Sequence, residues 1–97
     1  MVVEHPAGSR DEENRQMVYR LNCGYVQQVL EKNNEWQDAC LLGVKKPLEW
    51  FEGEVTAVVY AGGRSVWCVA PRGVCFTREQ LAKELAFLGS IERIEKV

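Results

Sequence analysis

Four cysteines, one histidine and a scatter of carboxylates are the residues of this chain with the clearest claim to chemistry. Cys23, Cys40, Cys68 and Cys75 lie far apart in sequence, and none forms a Cys-x-x-Cys pair. A structural zinc takes four nitrogen or sulfur ligands. With His5 the sole imidazole, those ligands would have to come from four distant places, so neither a metal nor a cofactor is expected. Thiols outside a secretory context read as small buried hydrophobes. All four are therefore expected as free cysteines, with Cys68 and Cys75 the pair able to approach across neighbouring strands. General acid–base work needs groups within hydrogen-bond reach of a common proton. Glu49, Glu52, Glu54 and His5 are the candidates, but their spacing converges on no site. Surface carboxylates are the plainer reading, and no residue is assigned a catalytic role; a small enzyme of unknown class is the third reading of the chain.

Large aromatics and basic residues suggest binding instead. Trp36, Trp50 and Phe51 crowd a stretch of weak secondary-structure signal, and Trp is the residue type most enriched at binding hot spots. Phe87 lies roughly 120° from the leucine stripe of its helix, which leaves it either partly buried at the flank or in contact with a partner. The first reading is a small non-enzymatic protein–protein interaction module, an adaptor or inhibitor, with Trp36, Trp50, Phe51 and Phe87 as contact residues. Core plugging by a long loop is the plain alternative. The second reading is a single-stranded nucleic-acid binder, with Tyr60 and Trp67 stacking on bases and Lys45, Lys46, Arg64 and Arg72 meeting phosphates. A net charge of −2 and a pI near 5.4 count against it, because such binders carry a dominant basic face.

The elements that would position these residues are clearest over 54–88. Glu54–Tyr60 is rich in β-branched residues, and Ala61-Gly62-Gly63-Arg64 supplies a tight turn whose glycines accept positive φ. Ser65–Ala70 returns as a second strand. Both of its faces carry apolar residues, so a central strand covered on both sides is expected. Pro71-Arg72-Gly73 turns, and Val74-Cys75-Phe76 is a short third strand or a lead-in. Thr77-Arg78-Glu79-Gln80 is a capping box, Phe76 and Leu81 a hydrophobic staple, and Leu81, Leu85 and Leu88 one helical face ended by Gly89.

The N-terminal half predicts a long helix from about residue 12 to 32. Met17, Val18, Leu21, Tyr25, Val26 and Val29 share a broad face, covering roughly half the circumference. That width is covered either by the 33–53 segment or by a second copy of the chain, so a homodimer is one expectation. Gly24 costs about 1 kcal/mol inside a helix. It is tolerated, marks a kink, or admits another backbone at close approach. Glu35–Leu42 reads as a short helix, and Ala39–Val44 equally as a strand. Residues 1–10 read as a flexible tail or an edge strand through Val2-Val3, and Ser90–Val97 as a last edge strand whose charges discourage edge-to-edge pairing.

These elements sum to one α+β domain over 1–97: a small antiparallel sheet with two helices on one face. If both termini are strands, the order βαββαβ is that of a ferredoxin-like sandwich. Asn22-Cys23 ahead of a helical run resembles the nucleophile helix of papain-like proteases. Those enzymes place their base histidine downstream, and none follows His5, which excludes the protease reading. The hairpin with Thr77–Gly89 resembles the C-terminal part of aminoacyl-tRNA editing domains over less than half the chain. The strand lysine of that family falls on Val55, so no family assignment follows. No apolar run approaches the roughly 20 residues of a membrane span. The polar start of the chain carries no signal peptide, so an intracellular, cytoplasmic location is expected.

Overall fold

A computed structural model describes residues 1–29 and 34–97. Six strands form one mixed sheet. They are β1 (Val2–His5), β2 (Asn22–Val29), β3 (Asn34–Leu41), β4 (Glu54–Ala61), β5 (Arg64–Ala70) and β6 (Ile91–Lys96), and their spatial order is β1-β2-β3-β5-β4-β6. β3 and β5 run parallel, and every other neighbouring pair is antiparallel. The parallel junction joins two units, β1–β2–β3 and β5–β4–β6. A single seven-residue helix, α1 (Arg78–Glu84), leads into a 3-10 turn at Ala86–Leu88.

The expected α+β fold with two helices on an antiparallel sheet, and with it the ferredoxin-like order, is overturned. The long N-terminal helix does not form over the described residues; its expected end at 30–33 lies outside them. Residues 22–29 are β2, and 34–41 are β3. Strand β2 alternates at period two: Cys23 joins the core on one face of the sheet, and Val26 packs against the cluster on the other. A strand covered on both faces places apolar residues at adjacent positions. Of the supposed helical face, Met17, Val18 and Leu21 lie before β2 and only Tyr25, Val26 and Val29 lie on it; adjacent Tyr25 and Val26 stand on opposite faces of that strand, which is what widens the arc on a helical wheel. The same correction removes the ground on which a homodimer was expected.

Gly24 has the third of its suggested roles. A Cβ there would run into the Val2 carbonyl oxygen and lie 2.8 Å from the Glu4 amide nitrogen, so β1 can pair with β2 at this point only over a glycine. The first ten residues are accordingly not a tail. They supply β1, and residues 8–19 then fold back as a short ribbon, with Gly8 N–H donating to Tyr19 O and Tyr19 N–H to Ser9 O.

The C-terminal half matches its sequence closely. Gly62 and Gly63, with φ of 60° and 79°, make the two-residue turn between β4 and β5. Thr77 Oγ1 accepts from Gln80 N–H while Gln80 Oε1 accepts from Thr77 N–H, completing the capping box. The last strand forms as β6, but Val74–Phe76 joins no strand.

Two apolar layers follow from this arrangement. On one face, Leu81 of α1 and Leu85 at its C-terminal end lie over Cys23, Cys40, Val59, Val66 and Cys68, with Tyr19 from the ribbon and Leu21 just after it closing the side. On the other, the 43–53 segment covers Ala39, Leu41 and Val69 with Val44, Leu48 and Phe51. Asn22, fully buried, fixes that second cover. Its Oδ1 accepts from Ala7 N–H and Leu48 N–H, and its Nδ2 donates to Lys46 O at 2.9 Å and Val44 O at 3.4 Å.

A candidate interaction face built on two tryptophans

Backbone register decides which aromatics meet. Residues 49–51 run beside β1, with Val3 N–H donating to Glu49 O and Phe51 N–H to Met1 O, so that Val2 pairs with Trp50. Val2 pairs on its other side with Tyr25, and Tyr25 with Asp38. Directly paired residues share a face, and so do residues two apart along a strand. Trp50, Val2, Tyr25, Asp38 and Trp36 therefore stand on one face. Tyr25 and Trp36 meet edge to face, with ring centroids 4.5 Å apart and planes at 75°. An open cleft of about 380 Å³ runs between Trp36 and Trp50. Met1, Val26, Gln27, Phe51 and Glu52 complete its lining, and the Met1 ammonium donates to Phe51 O at 2.7 Å.

Trp36 is 60% exposed and Trp50 65%, with Val2 at 43% between them. The other two contact candidates do not join them as surface residues. Phe51 reaches the rim of the cleft but packs into the second core layer with Leu48 and Val26. Phe87 packs on the first core layer, edge-on to Tyr19 at 6.0 Å. Sequence reasoning missed Tyr25 and Val2, whose membership follows from strand register. The available signal was the alternation through Cys23, Tyr25 and Gln27, which the helical reading obscured.

The residues of the nucleic-acid reading do not converge. Lys45 pairs with Glu84 on the helix side, Arg64 with Asp38 at 3.2 Å and Arg72 with Glu54 at 3.2 Å. Tyr60 lies under the Arg93 guanidinium at 4.2 Å, and Trp67 is partly buried in the second core layer. Lys46 is exposed and gives its carbonyl to Asn22. Three of the four cations are thus already partnered, and they are spread over both faces of the sheet.

The acid–base candidates are equally dispersed. His5 stacks on Tyr19 with centroids 4.3 Å apart, and Tyr19 Oη donates to Asp11. Burial, and then that bond, raise the Tyr19 phenol above its ordinary range. The Asn14 and Glu13 amides hold the Asp11 carboxyl below its own. Glu54 is tied to Arg72, while Glu49 and Glu52 sit on the 43–53 segment. Among the described residues, no three His, Cys, Asp or Glu side chains gather as a metal site would require. Among the described residues, no helix is long and apolar enough to cross a membrane.

The cysteines depart from expectation. Cys23 and Cys40 face each other across β2 and β3 and form a disulfide, with their Cα atoms 4.1 Å apart. Cys68 and Cys75 are free, the first buried and the second exposed in the loop before α1. The chain positions of Cys23 and Cys40 concealed this pairing, because it depends on a hairpin where the sequence reads as helix.

Comparison with protein-family models, with curated proteins and with solved structures returns no match.

Proposed function

We propose that this chain is a non-enzymatic protein-interaction module and that its contact surface is the face carrying Trp36 and Trp50. The carrying observation is the exposure of two indoles, 60% and 65%, on one cleft of a rigid sheet. Neither indole adds much to the core, so a role in folding does not account for them. Two strands and an edge segment fix their spacing before any partner arrives, which limits the ordering cost of association. Truncating a hot-spot indole typically costs about 2 kcal/mol or more of binding, or roughly 30-fold in Kd.

Affinity capture from the source cells tests this with three baits: the wild type, Trp36→Ala/Trp50→Ala, and Phe87→Ala. A stoichiometric protein lost from the double variant and retained by Phe87→Ala supports the reading, provided that far-ultraviolet circular dichroism and thermal midpoint match the wild type. Retention by the double variant overturns it. Phe51 is left unchanged, since its removal would damage the core as well as the cleft.

A further inference from the structure

One row of side chains crosses five strands on the helix-covered face. His5 pairs with Cys23, Cys23 with Cys40, Cys40 with Cys68, and Cys68 with Ala57. Three of the four cysteines thus stand side by side on consecutive strands, all within the same core layer. Two are joined, and the third is a free thiol beside the join. Neighbouring strands lie about 4.8 Å apart, which is within the separation that a disulfide can bridge. Thiol–disulfide exchange proceeds by attack of a thiolate on a disulfide sulfur, with expulsion of the other sulfur. A row running straight across the strands places Cys68 on the opposite side of Cys40 from Cys23. That is where an attacking sulfur must stand if the leaving one is Cys23.

We propose that Cys23, Cys40 and Cys68 form an intramolecular exchange site in which Cys40 can carry its disulfide to either neighbour. Cys68 is fully buried and does not line the cavity beside the disulfide, so its thiol gives its proton to water admitted by local opening of the sheet, and its sulfur attacks Sγ of Cys40. The Sγ40–Sγ68 bond forms as the Sγ40–Sγ23 bond breaks. Cys23 leaves with the bonding electron pair and takes up a proton. The step is an isomerisation and consumes no oxidant or reductant. A cavity of about 70 Å³ lined by Cys23, Cys40, His5, Glu4, Asp38 and Arg64 reaches the disulfide and is large enough for water. Exchange moves the staple from the β2–β3 hairpin to the parallel β3–β5 junction. It frees β2, which carries Tyr25 of the aromatic face, while β3 with Trp36 becomes tied to the sheet centre.

Burial pushes the Cys68 thiol up to about 12, so the reactive thiolate is scarce near neutrality. The titratable groups around the row are Tyr19 in the core and Glu4, His5, Asp38 and Arg64 around the cavity; α1 presents Leu81 and Leu85. The exchange rate is therefore expected to climb about tenfold per pH unit in mildly alkaline buffer, following the thiolate fraction.

The test uses the whole chain with Cys75→Ser, so that the exposed thiol cannot compete. The folded protein is held at a series of alkaline pH values, then quenched in acid, alkylated and mapped by mass spectrometry. A Cys40–Cys68 linkage with Cys23 alkylated is the expected product, and its appearance should stop when Cys68→Ser is added. A second arm removes the leaving group: in Cys23→Ser/Cys75→Ser, checked for folding by circular dichroism, oxidised glutathione should close Cys40–Cys68. Exclusive recovery of Cys23–Cys40 at every pH overturns the proposal, whatever the second arm shows. Formation of the new linkage in the Cys68→Ser chain is impossible, and release of Cys23 there would equally overturn it by placing the attacking group elsewhere.

Discussion

Replacing Asn22 by alanine is expected to lower unfolding free energy by about 3 kcal/mol and to loosen the segment that carries Trp50. Asn22 is fully buried and ties together three parts of the chain: the turn after β1, the head of β2 and the 43–48 stretch. Removing its amide leaves the Ala7 and Leu48 N–H groups without their acceptor, and the Val44 and Lys46 carbonyls without their donor. Each stranded group held away from water costs about 1–3 kcal/mol, and the carbonyl of exposed Lys46 and any group that water reaches cost less. Small domains are stable by only about 5–15 kcal/mol, so the loss is large. Urea unfolding measures it. Amide exchange at Leu48 should accelerate well beyond that of Gln80, whose capping box is untouched. An unchanged midpoint would show that water replaces the side chain at no cost and that the 43–53 segment is held by its apolar contacts alone.

Removing the disulfide is expected to have an effect of similar size. Cys23 and Cys40 are 17 residues apart in sequence. Closing a loop of that length restricts the unfolded chain by about 3 kcal/mol in the chain-entropy description. Cys23→Ala/Cys40→Ala should lose about that much in urea unfolding, and reducing agent should lower the midpoint of the wild type but leave that of the variant unaltered. A loss below about 1 kcal/mol would mean that the unfolded chain already keeps the β2–β3 hairpin together. Because β2 and β3 carry Tyr25 and Trp36, the variant also asks whether the aromatic face survives without its covalent staple.

The C-terminal half was legible because its signals are local. Gly62-Gly63 fixes a turn by backbone conformation, and Thr77 and Gln80 fix a helix start by hydrogen bonds between near neighbours. The N-terminal half was not, because its decisive interactions join residues far apart in sequence. Gly24 is explained by the backbone of Val2, and Asn22 by Ala7, Val44, Lys46 and Leu48. None of these partners lies within a helical turn of the residue it explains. In β2 the alternation through Cys23, Tyr25 and Gln27 is crossed by apolar Val26 on the opposite face, so the run also fits a helical wheel. The site was legible in part. Trp36 and Trp50 were singled out by residue type, and their convergence depends on β1 lying between β2 and the 49–51 segment. Phe51 and Phe87 share their chemistry but lack their exposure.

The measurement that bears most directly on the interaction face is site-specific photo-crosslinking. A benzophenone amino acid is placed at Trp36, Trp50 or Phe87 in turn, and the chain is irradiated in extracts of its source cells. Adducts of the same mass from positions 36 and 50, with none from 87, are the expected result. They would place one partner across the cleft between the two indoles. An adduct from position 87 with none from 36 and 50 would contradict the account, and would move the contact surface to the side of the core beside Tyr19.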